Sequence, residues 1–508
     1  MSICSHDGFY SVGFRKIKNG KRMKQDIPLQ NVFSKPMKWF LAVFAILAVS
    51  GCIKVGPDYV KPEISLSTAW QSTLKDGFSA EVPEPQTMSA WWTLFGDCKL
   101  SNLIERAVAG NLDLKKAKAR VREARAKRGM AKSYLFPTLD TTAKATRSRS
   151  SDNAGNGKTG RLYATVFDSE WELDVFGGVS RSLEAATADL QASREDLRDV
   201  LVSLLAEVAL NYVEVRTYQA RIVVAEANLE AQEESFNLTF WRNQAGLDDE
   251  LAVQQARYNL EETRSQIPAL KAELEASMNR IAVLLGEQPG KVHEELNKKE
   301  PIPVAPRAIA VGVPASVIRQ RPDIRKAERE LAAQTARIGV AKADLYPKFK
   351  LSGSIGLESL SKNSLFSTDS RTYSFGPGIS WRIFDAGAIR QNIEVQSALQ
   401  EQYLIAYESA VLCAVEEVEN ALVAFEEEQN RRKSLSEATA AAEQAVELAQ
   451  KKYQSGLTSF NDVLDAQHSL LSFQDSLRQS EGKITSNLVR LYKVLGGGWT
   501  LLAPEEKN

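Results

Sequence analysis

Asp462 and Asp465 stand three residues apart in the stretch GLTSFNDVLDAQ, a spacing that brings two carboxylates to one side of a helical turn. Acids so placed can attract a cation, and paired carboxylates also serve general acid–base chemistry. Nothing else in the chain supplies catalytic company for them. The three histidines, His6, His293 and His468, stand far apart, so neither a zinc cluster nor a histidine-centred catalytic group is indicated. The four cysteines, Cys4, Cys52, Cys98 and Cys413, include no C-x-x-C pair and point to neither a disulfide framework nor a metal site. No nucleophile–base–acid set and no phosphate loop appears. The expectation is a protein that is not an enzyme and that holds no metal or cofactor. A plainer reading of the acids stays open, because Ser459-Phe460-Asn461-Asp462 has the form of a capping box whose acid is favoured by the helix dipole.

Cys52 invites a different chemistry. It closes MKWFLAVFAILAVSGC, Met37 to Cys52, in which one lysine is followed by an apolar run and then small residues. That run is shorter than the roughly 20 residues that span a bilayer and fits the apolar region of a signal peptide, with residues 1–51 as the targeting region and either Met1 or Met37 as the start. VSGC resembles a bacterial lipobox, so a covalent lipid is expected on Cys52. Ile53 follows it in place of the aspartate that retains lipoproteins at the inner membrane, which directs the chain to the outer membrane.

Lysine plus arginine and aspartate plus glutamate number 64 each, and this balance gives no electrostatic case for nucleic acid. The strongest signal is repetition. GMAKSYLFPTLD at Gly129 returns as GVAKADLYPKFK at Gly339, 210 residues on. Asp113 and Asp323, Pro137 and Pro347, Trp171 and Trp381, Gly177 and Gly387, and Gly246 and Gly456 keep the same offset. One supersecondary unit therefore occurs twice. The boundaries read as a lipid-anchored segment at 52–99, a first repeat at 100–290, a Pro-rich linker at 291–312, a second repeat at 313–497 and a tail at 498–508.

Each repeat has one plan. A helix from Asn111 to Leu135, or from Arg321 to Leu345, stops ahead of Pro137 or Pro347. Two period-two segments follow; in the second repeat they are KFKLSGSIGLE and RTYSFGPGISWRIF, separated by a polar, exposed loop. After Gly177 or Gly387 comes a long helical stretch with a three–four stripe, Leu197, Leu201, Leu204, Val208, Tyr212 and Val215, and its counterpart Tyr407, Val411, Ala414, Val418, Leu422 and Phe425. Between Val179 and Ala245 there is no proline or glycine, enough for a helix of about 100 Å. Four strands cannot close a membrane barrel, so they either close with other chains or cover a soluble core. The lipid anchor and the long helices favour the membrane, with Tyr163, Trp171, Tyr373 and Trp381 as an aromatic girdle.

CIKVGPDYVKP, WWTLFGD, NLDLKKAKARVREARA, VPASVIRQRPDI and GLTSFNDVLDAQ together resemble the outer-membrane factor family of TolC-like efflux channels, and within it the lipoprotein NodT-type partners of resistance-nodulation-division pumps. The resemblance covers nearly everything after Cys52. It implies a mainly α fold with a β-barrel part: a homotrimer in which a twelve-stranded barrel continues into a periplasmic α-helical barrel, working with a periplasmic adaptor and an inner-membrane pump. It also implies passive conduction of drugs, toxic compounds or metal ions; a channel for type I protein secretion is the alternative, and a structural coiled-coil lipoprotein a more distant one. By the same resemblance Asp462 and Asp465 ring the periplasmic aperture. Gly246, Leu247, Gly456 and Leu457 are tips that meet the adaptor. Tyr453 belongs to a closing latch whose arginine is replaced here by Thr458. Asp248, Asp249 and Glu250 read as first-turn acids or adaptor contacts.

Overall fold

Pro137 and Pro347 each turn a helix into a strand, because a proline removes a backbone donor and keeps its predecessor out of the helical region. The computed structural model describes residues 54–499 apart from 64–66, 68, 73–77, 80, 82–87, 156 and 305–308. Cys52, the targeting region and the end of the tail lie outside the described residues. Helix α1 (Cys98–Gly110) is capped by Asp97, whose carboxylate accepts from the N–H groups of Lys99 and Leu100. Helix α2 (Leu112–Ser133) leads through Pro137 into β1 (Thr138–Arg149) and β2 (Thr159–Leu173). Then come α3 (Gly178–Gln244) and α4 (Glu250–Leu285). Past the connector the order recurs: α5 (Pro322–Ala343), β3 (Lys348–Ser359), β4 (Arg371–Ser380), α6 (Ala388–Gln454) and α7 (Phe460–Val494). Helices α3 and α6 have 67 residues each, about 100 Å of rise.

The four strands form one antiparallel sheet in the order β1-β2-β3-β4. Its register sorts side chains by polarity. One face carries Leu139 of β1, Tyr163, Phe167 and Trp171 of β2, Phe349, Leu351 and Ile355 of β3, and Tyr373, Phe375 and Ile379 of β4. The other carries Asp140, Lys144, Asp168, Glu170, Lys350, Ser352, Ser354 and Glu358, with an ion pair between Lys350 and Glu170. Among the described residues nothing covers the apolar face: Tyr373 is 84% exposed and Phe375 75%. Among the described residues no helix is long and apolar enough to cross a membrane.

Strand β4 is shorter than its alternation suggests. Ser380 pairs with Lys348, the first residue of β3, so no ladder partner remains for Trp381 or Ile383. Trp381 instead donates its indole N–H to the carbonyl of Leu345 at 3.0 Å, as Trp171 does to Leu135 at 3.1 Å. Each tryptophan fastens its hairpin to the helix end two residues ahead of the proline. The second hairpin loop is also less irregular than expected, with 3-10 turns at Lys362–Ser364 and Thr368–Ser370.

The core sits at the waist of the long helices. The three–four stripes of α3 and α6 are buried along the lengths predicted, from Leu197 to Val215 and from Tyr407 to Phe425. The α3 stripe and Val418, Leu422 and Phe425 of α6 meet Leu100, Leu103 and Ile104 of α1, Met278 and Ile281 of α4, and Leu488, Leu491 and Tyr492 of α7, whereas Tyr407, Val411 and Ala414 pack separately with Ile318 and Ile324. Trp91 stacks on Tyr492 with ring centroids 5.4 Å apart. At the lower edge of this core the Arg216 guanidinium is fully buried. It donates to the carbonyl of Lys298, the Gln219 amide and the Glu300 carboxylate, each at 2.8 Å, and to the Tyr212 hydroxyl at 3.1 Å. The Pro-rich connector is thus fastened to α3 by Arg216, with Gln219 on the Leu296 carbonyl and Glu226 on Lys299 beside it. Arg216→Ala takes the donor from the Lys298 carbonyl and the Gln219 amide oxygen, while Glu300 keeps Lys99 at 2.7 Å, and it should cost about 2 kcal/mol or more. A thermal midpoint in detergent equal to that of the parent protein would show that the connector is held otherwise.

Candidate functional site

The two helical hairpins end in matching turns. Gly246 and Gly456 adopt left-handed φ values of 72° and 69°, which glycine reaches without a Cβ penalty. In the first turn the N–H groups of Gly246 and Leu247 bond to the carbonyls of Asn243 and Arg242; in the second, those of Gly456 and Leu457 bond to Tyr453 and Lys452. This pattern satisfies the last carbonyls of a helix. It leaves Leu247 66% and Leu457 78% exposed, so both turns present an apolar side chain to solvent. The four tip residues named from sequence therefore occupy equivalent turns.

A buried knot ties these turns together. Tyr453, 3% exposed, donates its hydroxyl proton to Asp248 at 2.5 Å, and its oxygen lies 3.3 Å from the Thr239 hydroxyl. Arg242 donates its Nε–H to the same Asp248 carboxylate at 2.7 Å and lies 4.8 Å from the centroid of the Tyr453 ring. Around them pack Ala252, Ala256, Phe460, Val463 and Leu464. Burial first, then the hydrogen bond to Asp248, raises the Tyr453 phenol above its ordinary pKa. The bond to Asp248 raises the Arg242 guanidinium in turn. Tyrosine is thus a neutral donor and arginine a cation throughout the physiological range.

This corrects one reading from sequence. Asp248 is not a helix-start acid. Asp249 caps α4, accepting from the Ala252 N–H at 2.9 Å, and Glu250 stands in its first turn, while Asp248 reaches back to α3 and across to α6. Thr458 does stand where the resemblance expects an arginine, and a different arginine–carboxylate link, Arg242–Asp248, lies in the other hairpin. The sequence held only a faint sign of this: Arg242 is a base in the last turn of α3, where the helix dipole favours one. A partner six residues on, across a turn, matches no helical spacing.

The capping box at the head of α7 does not form. Ser459 precedes the helix but makes no side-chain cap bond. The hydroxyls of Thr458 and Ser459 instead turn towards the Asp462 carboxylate, Ser459 at 3.4 Å. Asp462 and Asp465 are both exposed, while Val463, Leu464 and Gln467 between and beyond them are buried. The two acids thus share the uncovered side of α7. Among the described residues no group of three or more side chains could hold a metal ion within one chain.

Between the knot and the waist, α3 meets α7 through polar pairs. Arg221 takes Asp475 in a two-pronged bond at 2.7 and 3.0 Å, Asn228 bonds Gln474 at 2.8 Å, and Gln467 bonds Ser235 at 2.7 Å. The Gln232 amide is buried there with no partner. At the far end of the molecule Tyr163, Trp171 and Tyr373 share the apolar face of the sheet and Trp381 follows directly on it.

Comparison with known proteins agrees with this architecture. The family described as outer membrane efflux protein matches residues 103–287 and 313–497. Nodulation protein T of Rhizobium leguminosarum bv. trifolii is 34% identical over 471 residues, covering 91% of this chain and 97% of its own. The solvent efflux pump outer membrane protein SrpC of Pseudomonas putida is 31% identical over 91% of this chain and 98% of its own. The solved outer-membrane channel OprN superposes with a TM-score of 0.83 at 37% identity, covering 88% of this chain and 99% of that one.

Tyr453→Phe removes one charge-assisted bond and leaves Asp248 with Arg242. Amide hydrogen exchange at Leu247 and Leu457 should then quicken about tenfold, the equivalent of about 1.4 kcal/mol. In Asp248→Ala the same change should add little, because the partner is gone. The raised phenol fixes the pH sign: the contribution is complete below the ordinary tyrosine value and is lost only as pH rises through the higher folded value. Equal protection in parent and variant would remove the hydroxyl from the knot.

Proposed function

The chain belongs to the outer membrane efflux protein family, and from that membership we propose how its geometry does the work of an efflux channel. It is a NodT-type channel of the outer membrane that reaches into the periplasm and carries substrates outward for an efflux system. The chain supplies a path and no chemistry. What supports this most is the sheet: one face with a broad aromatic and apolar band, one polar face, and two edges left open among the described residues. In hydrocarbon an unpaired backbone group costs several kcal/mol, so only a closed barrel serves. Three copies would give twelve strands, the apolar face to lipid and the polar face to a water-filled lumen. The two units in each chain, set 210 residues apart, would then make six similar walls round one axis. Each wall passes from barrel to helix at Pro137 or Pro347. Cys52 would carry the lipid that tethers the chain to the membrane.

At the other end, the paired turns at Gly246-Leu247 and Gly456-Leu457 offer apolar tips to a periplasmic adaptor, behind which an inner-membrane pump supplies the energy. The Arg242–Asp248–Tyr453 knot holds the two hairpins of a chain together while the aperture is shut. Asp462 and Asp465, on the uncovered side of α7, would place six carboxylates around the pore of a trimer, a field that concentrates cations. The relatives are named for solvent, as in SrpC, and for cations, as in the cation efflux protein CusC of Escherichia coli, so drugs, toxic compounds and metal ions all remain within the proposal.

Replacing both Asp462 and Asp465 with Ala should lower the preference for cations in planar-bilayer recordings while conductance persists. Unchanged selectivity would take the acids out of the aperture. In-cell crosslinking from Leu247 and Leu457 tests the assembly: capture of an adaptor with its pump supports docking at the tips, capture of an ATP-driven exporter moves the channel to secretion, and capture of neither overturns tip docking.

A further inference from the structure

The apolar face of the sheet is not apolar to its end. Following its register towards the hairpin loops, β1 runs Leu139, Thr141, Ala143, Ala145 and then Arg147 and Arg149. Beside it β2 runs back from Tyr163 to Arg161, and β4 opens on Arg371 in the same face, paired with Leu357. All four arginines are exposed. None of the residues that the ladders place on this face is acidic; Asp140, Asp168, Glu170, Glu172 and Glu358 all fall on the opposite one.

Arg147 and Arg161 are direct cross-strand partners. Like charges in that position repel and are destabilising. Yet neither has an ion pair or side-chain hydrogen bond among the described residues, and Arg371 has none either. Arg149 is partly engaged, with its Nε on the Gly157 carbonyl at 3.0 Å and Asp152 at 3.6 Å. A repelling, unneutralised guanidinium pair beside an apolar band is a poor arrangement in water alone and a good one around a shared anion. Guanidinium is the side chain best shaped for two-pronged contact with phosphate.

The position fits a lipid headgroup. From Leu173 to Tyr163 the face spans ten residues of β2, about 34 Å of strand, or about 26 Å of height at the tilt of a membrane barrel. That matches an apolar band of about 25 Å. Arg161 and Arg147 then stand about 5 Å above its edge, on the side facing lipid, at the level where acyl chains give way to phosphate. We propose that Arg147 and Arg161, flanked by Arg149, form a collar that binds the phosphate groups of the glycolipid in the outer leaflet. The collar orients the first hairpin in the membrane and neutralises a repulsion that the sheet otherwise carries, while Arg371 stands lower, in the row of Thr165 and Leu357. This rests on the reading of the sheet as a barrel wall with its apolar face outward.

The test uses the purified full-length channel in detergent, titrated with bisphosphorylated lipid A, with its dephosphorylated form and with inorganic phosphate, and read by native mass spectrometry. The parent should bind the bisphosphorylated lipid at least about tenfold more tightly than Arg147→Gln/Arg161→Gln, and Arg147→Lys/Arg161→Lys should fall between. Equal binding by the glutamine variant, or equal binding of the dephosphorylated lipid by the parent, overturns the collar. Displacement of the lipid by millimolar inorganic phosphate would make this a free-anion site and overturn the lipid assignment. Planar-bilayer conductance of the same samples separates the two levels. Channels with unaltered lipid binding in the variant refute the collar alone, whereas no channels from the parent refutes the barrel.

Discussion

The outer strands of the sheet, β1 and β4, each leave one row of backbone N–H and C=O groups without a strand partner among the described residues. Water would tolerate such edges; hydrocarbon does not. Because the ladders also put every aromatic strand residue of note on one face, the sheet cannot escape by folding over a core, since the helices that might cover it lead away from its end. In the proposed assembly the apolar face meets lipid and the edges meet further strands, and closure around an axis would satisfy both together. The prolines, the tryptophan fastenings and the great length of α3 and α6 fit this demand, as they would carry such a wall from one solvent to the other.

Cohesion is distributed unevenly along the helices. At the waist the contacts are leucine, valine and aromatic side chains from α1, α3, α4, α6 and α7, and parting them would expose surface worth about 25 cal/mol for each Å². Towards the tips α3 and α7 are held by Arg221–Asp475, Asn228–Gln474 and Ser235–Gln467. Each such bond is worth only about 1 kcal/mol net, because water replaces it on separation. The weaker stretch thus lies between the waist and the Arg242–Asp248–Tyr453 knot that ties the tips, and the buried Gln232 amide, without a partner among the described residues, marks the least satisfied level of the seam.

Much of this was legible in the linear chain. The stripes from Leu197 to Val215 and from Tyr407 to Phe425 are buried as their spacing demands, because a helix of fixed pitch leaves such residues no other face. Pro137 and Pro347 had to end helices, and Gly246 and Gly456 had to turn the chain. The strand faces, too, follow from strict alternation. Less legible were features set by neighbours: where β4 ends depends on where β3 begins, and the capping box at Ser459 gives way to hydroxyls that turn to a carboxylate instead.

Periodicity and backbone stereochemistry are local, so the sequence by itself determined the elements, their lengths, the repeated order and the faces they present. Which side chains meet across elements is decided by packing. Asp248 could have capped a helix, but the fold brings Tyr453 from 205 residues away and Arg242 from across a turn onto one carboxylate. Arg147 and Arg161 are unremarkable in the chain and become a charged pair only when β1 and β2 lie in register. Charge and hydrogen-bond energies depend on distances of a few ångströms, and only the tertiary structure sets those.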